Sequence, residues 1–265
     1  MAASVSDYEK VQSAAYSFLT TNGDHPVAHA ECLVLQRSEN ENELVVLPAR
    51  SCNVFSMDEE IHAHDVIIHN SWIMSTSATV EFELSCNIVG YMTFLLLQNS
   101  REWVVISVVV TNKTPSTPVT SSDFQGPLKI CWGDYCTANR ACDGLAMAKV
   151  FHPSCRLTYS SSAHNDDSVV VKSSAEFCRM VTGRYDMEPM HMPYAAYRDD
   201  PAAAAGDTLQ GVSMISPTLA LVRLKVGHPP CLWSDLLVCA KVLDQWWIVA
   251  KSSSSESFII GPRAT

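Results

Sequence analysis

Thr111-Asn112-Lys113-Thr114-Pro115-Ser116-Thr117-Pro118-Val119-Thr120-Ser121-Ser122-Asp123 is the break on which the reading of the whole chain turns. Two prolines among hydroxyl side chains neither sustain a helix nor supply a core, so the stretch reads as a linker over residues 112–125. Asn112-Lys113-Thr114 matches a glycosylation sequon, which is incidental without a secretory route.

Outward from the linker, each side opens with a helix. Ser6 and Glu9 have capping-box spacing, and Tyr8, Val11, Ala15, Phe18 and Leu19 then recur at three- and four-residue steps until Gly23. Beyond the linker, Leu128, Cys131, Trp132, Tyr135 and Ala138 show the same periodicity. Asp143 reads as the N-cap of a short helix ended by Phe151-His152-Pro153. Each side closes with strands. Val80, Phe82 and Leu84 alternate with Glu81 and Glu83 as in a half-buried strand. Phe94–Leu97 and Trp103–Val110 flank a polar turn. Ala220, Val222 and Leu224 form the matching strand, with Arg223 and Lys225 on its other face, and the matching hairpin runs Leu236–Val242 and Trp246–Lys251. Phe82 and Val222 are 222 − 82 = 140 apart, and Trp103 and Trp246 are 246 − 103 = 143 apart. At the helical ends, Tyr16 and Tyr135 give only 119. About twenty extra residues in the second copy, placed near Asp199–Asp207, would reconcile the offsets. The serine run Ser252–Ser255 reads as a lesser break that leads into a loose tail.

The fold class is therefore α+β, in two tandem copies: residues 1–111, a linker, residues 126–258, and a tail at 259–265. A chain of 265 residues with 47% hydrophobic and 17% charged side chains has material for two cores. The formal charge of −10 opposes binding to a phosphate backbone, so no nucleic acid is expected. No apolar run approaches a membrane span. The opening residues have no basic region followed by an apolar core, so a cytoplasmic protein is expected. The ten cysteines include no C-x-x-C pair, so they read as buried free thiols and no metal is expected. His62 and His64 share one face of a strand, but Asp65 falls on the other, and a sheet-edge role fits them better than a metal site. Glu39–Glu43 reads as a solvated turn.

The order helix, short helix, Phe-His-Pro, helix at Ser173–Val181, then long antiparallel strands ending rich in Trp resembles the nuclear-transport-factor-2-like superfamily. Residues 127–258 are similar to its lumazine-binding (SnoaL-like) branch, through Tyr135, Asp143, Phe151-His152-Pro153, Leu157, Leu243-Asp244, Trp246, Ile248, Val249 and Lys251. Residues 7–112 retain the helix, the Gly23-Asp24 step and the strands, without a Phe-His-Pro element. The resemblance implies two cones, each a curved antiparallel sheet wrapped around helices and opening on a pocket. It also implies pairing through outer sheet faces, so that two copies in one chain form an internal pseudo-dimer.

The superfamily includes isomerases, dehydratases and cyclases that move protons without a cofactor, alongside proteins that only bind partners. Such chemistry needs a base of tuned pKa and a donor at the developing oxyanion, both inside a dry pocket. Tyr135, in the apolar helix stripe, and His191 are the catalytic candidates. Trp132, Phe151, Tyr159 and Tyr194 are the candidate pocket lining, suited to a small apolar or aromatic ligand. Buried Tyr and His side chains often do no more than satisfy core hydrogen bonds, and His152 reads as part of a helix-to-strand corner. No acidic residue of the second copy reads as inward-facing, which counts against proton transfer. The alternative is a non-catalytic interaction module that presents sheet faces to a protein partner, with Trp233 as a candidate anchor.

Overall fold

The computed structural model describes residues 4–20, 28–37, 44–48, 65–97, 100–113, 118–160, 168–183, 206–228 and 231–257. The first half holds α1 (Val5–Thr20) and strands β1 (Ala28–Arg37), β2 (Leu44–Pro48), β3 (Val66–Met74), β4 (Ser77–Leu84), β5 (Ile88–Leu96) and β6 (Trp103–Asn112). In the second half a continuous helical run comprises α2 (Gln125–Leu128), a π-helical stretch (Lys129–Tyr135) and α3 (Cys136–Arg140). It is followed by α4 (Gly144–Ala148), β7 (Phe151–Ser160), β8 (Val169–Ser173), α5 (Ser174–Gly183), β9 (Thr208–Ser216), β10 (Leu219–His228), β11 (Cys231–Val242) and β12 (Gln245–Ser257).

The strands form two six-stranded sheets, ordered β2-β1-β6-β5-β4-β3 and β8-β7-β12-β11-β10-β9. The second order is the first with six added to every number, so the duplication is written in the topology. Each sheet has one parallel pair, β1 with β6 and β7 with β12, and both pairs carry a register shift at the matching place. Ala28 pairs with Val105 as Phe151 pairs with Ile248, giving offsets of 151 − 28 = 123 and 248 − 105 = 143. Trp103 therefore does correspond to Trp246. The first strand offset needs correction: Ala78 pairs with Phe94 as Ala220 pairs with Cys239, so β4 and β10 differ by 220 − 78 = 142 and Phe82 corresponds to Leu224. The longer β10–β11 hairpin then raises the offset to 239 − 94 = 145. At offset 123 the first copy also keeps more of the corner than its sequence suggests, because Ala28-His29-Ala30-Glu31-Cys32 stands where Phe151-His152-Pro153-Ser154-Cys155 stands later.

Each sheet wraps its inner face around helices. In the first, Val11, Ala15, Phe18 and Leu19 of α1 pack on Val80, Phe82, Leu84, Val105 and Val108. In the second, Cys131, Tyr135, Phe177 and Val181 pack on Val222, Leu224, Leu237 and Ile248. The outer faces meet each other: Leu35, Tyr91 and Val109 share one apolar cluster with Leu221, Leu236, Val238 and Val249. This contact explains why the alternation in β4 is not half-buried. Glu81 is 7% exposed and accepts a hydrogen bond from Ser213 Oγ at 2.9 Å across the two sheets. Arg223 lies over the Trp72 ring at 4.7 Å.

Two local expectations are displaced. The cap of α1 is Ser4 with Asp7, where Ser4 Oγ accepts from the Asp7 amide at 3.2 Å and the Ser4 amide donates to Asp7 Oδ2 at 3.0 Å; it is not Ser6 with Glu9. The serine run is no break: Ser252, Ser253 and Ser254 lie inside β12 and are 1–3% exposed, all three paired with β11 and the first two also with β7. Their hydroxyls have partners in the fold, Ser252 on Ser77 and Ser254 on the Met74 carbonyl. No described helix is long and apolar enough to cross a membrane.

Candidate functional site

Tyr135 closes the π-helical stretch. The buried pair Ile130–Cys131 recurs five residues later as Tyr135–Cys136, which is the spacing of a π turn rather than an α turn. That wider turn aims Tyr135, 2% exposed, into the sheet. It leaves Trp132 off the buried face and 38% exposed, so Trp132 does not line the cone. Phe151 stands edge-on to Tyr135 at 5.9 Å and to Phe177 at 5.7 Å, the favoured arrangement of packed aromatic rings.

Contrary to the sequence expectation, the second copy has an inward-facing acid: Asp235, 0% exposed on the inner face of β11. Tyr135 donates its hydroxyl to Asp235 Oδ2 at 2.7 Å, Ser253 donates to Oδ1 at 2.7 Å, and the Lys251 ammonium forms an ion pair with Oδ1. The same ammonium sits 5.3 Å from the Tyr135 ring centre and 5.9 Å from that of Phe177, a cation held against two aromatic faces. A signal for Asp235 was present. Leu237 and Cys239 are inward, and period-two alternation carries the same face to Asp235 and Trp233. Lys251 and Ser253 were hidden by the bulge at Val249, which shifts the inward set from Trp246 and Ile248 to Lys251 and Ser253.

The twin cone shows what the fold itself requires at these places. At the offsets of 145 and 143, Asp235, Lys251 and Ser253 correspond to Gly90, Val108 and Val110. A Cβ on Gly90 would lie 2.5 Å from the Val109 carbonyl oxygen and 3.0 Å from Phe82 Cζ, so the aromatic ring occupies the space in which the second cone puts a carboxylate. Among the described residues the first interior is apolar there. The other buries an ion pair.

A second carboxylate, Asp207, stands just before β9 with its side chain 3% exposed. The Gly227 amide donates to its Oδ1 at 2.8 Å, and Arg140 Nε lies 3.4 Å from Oδ2 in an ion pair without hydrogen-bond geometry. Burial holds the Asp207 carboxyl above the usual carboxylate range, and Asp235 pushes the same way, against the Gly227 bond and Arg140. Burial together with these two carboxylates pushes the Cys136 thiol up to about 12, so it is an inert group rather than a nucleophile.

Tyr159 and Trp233 meet edge to face at 6.0 Å, so Trp233 belongs to the inner wall of the second cone and not to an exposed patch. Tyr159, Ser253 and Asp235 occupy one cross-strand row. His191 and Tyr194 lie outside the described residues, as do His62, His64 and Glu39–Glu43. His152 packs edge-on to Trp247 at 5.8 Å and accepts from the Ser154 amide at 3.2 Å, the role of a corner. Among the described residues no three His, Cys, Asp or Glu side chains are grouped so as to hold a metal ion.

No protein-family model matches the chain, and no curated protein matches it. Similar solved structures include an NTF2-like protein of unknown function from Silicibacter pomeroyi, 14% identical, covering 52% of this chain and 100% of its own, with a TM-score of 0.40. A second, from Shewanella baltica, is 10% identical and covers 53% and 98%, with a TM-score of 0.40. A ketosteroid isomerase-like protein from Erwinia carotovora is 14% identical and covers 54% and 100%, with a TM-score of 0.37.

Proposed function

We propose that the second cone is a small-molecule site that moves protons without a cofactor, in the manner of an isomerase, dehydratase or cyclase, and that the first cone is its structural support. The observation that carries this reading is the buried Tyr135–Asp235–Lys251–Ser253 network beside a twin interior that is apolar at the same positions. Burying an ion pair is often no better for stability than well-packed apolar groups of similar volume, so the network is poorly explained by folding alone. Tyr135 supplies a phenolic proton. A ligand oxygen arriving beside it can take over that proton's hydrogen bond while Asp235 keeps those from Lys251 and Ser253. The free thiols of the described residues accord with a reducing, cytoplasmic setting.

The test is a thermal-shift screen with uncharged aromatic and polyketide-like ketones. A true ligand at about 100 times its Kd stabilises the native state by about 2.7 kcal/mol, and Tyr135→Phe should keep the fold and lose most of that gain. An experimental structure with the second cone filled by its own side chains, and no compound raising Tm, would end the proposal. A second reading, a non-catalytic internal pseudo-dimer, is favoured by the apolar cluster shared between the outer sheet faces. It predicts no ligand response and a chain that is monomeric in solution.

A further inference from the structure

Cys131 on the π-helical stretch and Cys239 on β11 are both 0% exposed, and their sulfurs stand 3.3 Å apart in the core of the second cone. A disulfide bond is about 2.05 Å long, so the two sulfurs need to close by about 1.2 Å to become one. The fold itself does not require a thiol here. At the offset of 145 Cys239 corresponds to Phe94, which fills the same place in the first cone with an aromatic ring. Cys155, by contrast, corresponds to Cys32, a cysteine that both cones keep. The pair lies beside the candidate site. Tyr135 follows Cys131 by four residues along the helix, and Asp235 precedes Cys239 by four along β11. The thiol pair and the Tyr135–Asp235 hydrogen bond therefore join the same two elements.

We propose that Cys131 and Cys239 form a reversible disulfide when the protein meets hydrogen peroxide, tying the helix to β11 beside Tyr135 and Asp235. The thiolate of one cysteine attacks a peroxide oxygen and the O–O bond breaks, giving a sulfenic acid and, with one proton, the first water. The sulfur of the other cysteine then attacks the sulfenic sulfur. The S–S bond forms, the S–O bond breaks, and the departing hydroxide takes the remaining thiol proton to leave as the second water. Two thiols have lost two electrons, and the peroxide has gained them. Burial selects a small oxidant, since a mixed disulfide with a bulkier thiol would have to be accommodated inside the core. Burial, with Cys239 beside it, also pushes the Cys131 thiol well above its ordinary value, so thiolate is scarce and closure is slow. The cross-link joins residues 108 apart in sequence, so it removes many conformations from the unfolded chain and stabilises the cone with or without a ligand.

The test treats the native full chain with hydrogen peroxide until oxidation stops, blocks the remaining thiols with N-ethylmaleimide and maps the unreduced peptides by mass spectrometry. Of the ten cysteines, Cys131 should be joined to Cys239 with the loss of two hydrogens. The cross-linked protein should melt about 5 °C higher or more, and dithiothreitol should reverse both changes. Cys239→Ala should abolish the linkage and the rise in Tm. Cys131→Ala should do the same, and serves where the first variant does not fold. Chains unfolded in urea before oxidation should show no preference for this pairing, because the two sulfurs meet only in the native fold. No linkage between Cys131 and Cys239 after exhaustive oxidation of the native chain overturns the proposal, as does a preferred linkage of either one to another cysteine. A linkage that leaves Tm unchanged or lower overturns it as well.

Discussion

Asp235 and Gly90 occupy the same place in the two cones, and the comparison turns a buried charge into a measurable quantity. With Lys251 beside it and no solvent, removing the carboxylate alone leaves an ammonium 6% exposed against two aromatic rings. Asp235→Leu should therefore cost about 3–5 kcal/mol in denaturant unfolding. The pair Asp235→Leu with Lys251→Met should recover most of the loss, as Gly90 and Val108 do without charge. A double variant no better than the single one would mean that the network holds the fold together and would weaken the case for a site. Asp207 gives a pH-dependent counterpart. Its carboxyl is raised by burial with Asp235 nearby, opposed by Arg140 and Gly227, and Cys136 stands in the same field. Below the unfolded carboxylate pKa it is neutral in both states and costs nothing. As pH rises, the unfolded state ionises first and stability falls, and the cost is complete above the folded pKa. Asp207→Asn, which never ionises, should thus gain on the wild type from acid to neutral pH, and a difference that stays flat or shrinks would refute this. The sequence made Tyr135 and Phe151 legible through helical periodicity and the Phe-His-Pro corner. It hid Lys251 because a single bulged residue inverts every later inward assignment on β12.

Turns and caps decide where these elements start and stop, and they were legible wherever the signal was chemical rather than positional. Asp143 caps α4 with Oδ1 accepting from Leu145 and Ala146 at 3.0 and 2.9 Å, as its placement before a short apolar run predicts. The α1 cap lies two residues earlier than predicted because Ser4 and Ser6 are both competent N-caps, and only the partner three residues on separates them. Ser4→Ala should cost about 1 kcal/mol and Ser6→Ala almost nothing, measured by thermal unfolding. The β11–β12 hairpin turns on Leu243 and Asp244, both left-handed at φ 50° and 61°. That is the two-residue turn for which Asn-Gly is the favoured sequence. A leucine there bears a cost that asparagine largely avoids, so Leu243→Asn should stabilise the protein by about 0.5–1 kcal/mol. Since Leu243 is 67% exposed, no packing is lost in the exchange. The π turn at Trp132 was beyond reach of the sequence, because a 3.6-residue period and a five-residue recurrence diverge only once Tyr135 is seen inside.

At the scale of the molecule, duplication does more than repeat a fold. The outer faces of the sheets would present Leu221, Leu236, Val238 and Val249 on one side and Leu35, Tyr91 and Val109 on the other, and each covers its twin within one chain. Polar contacts fix the relative placement: Tyr91 donates to the Ser213 carbonyl at 3.1 Å, Ser213 to Glu81, and Ser252 to Ser77. Glu81 is buried for this reason, since alternation reports that two faces differ but not that a second sheet will cover the polar one. The linker's composition separated the halves without saying that they fold back on each other. The consequence is that the second cone is not self-sufficient even if it carries the chemistry. Expressed alone, residues 118–265 should expose the outer face of β10–β12 and either dimerise through it or precipitate, whereas the full chain should run as a monomer by light scattering. Adding the separately expressed residues 1–117 should dissolve that dimer into a heterodimer, because Glu81 and Trp72 offer Ser213 and Arg223 partners that a second copy of the same face does not. A second half that stays monomeric and stable alone would show that the contact between the sheets contributes little, and would return the first cone to the status of an independent module.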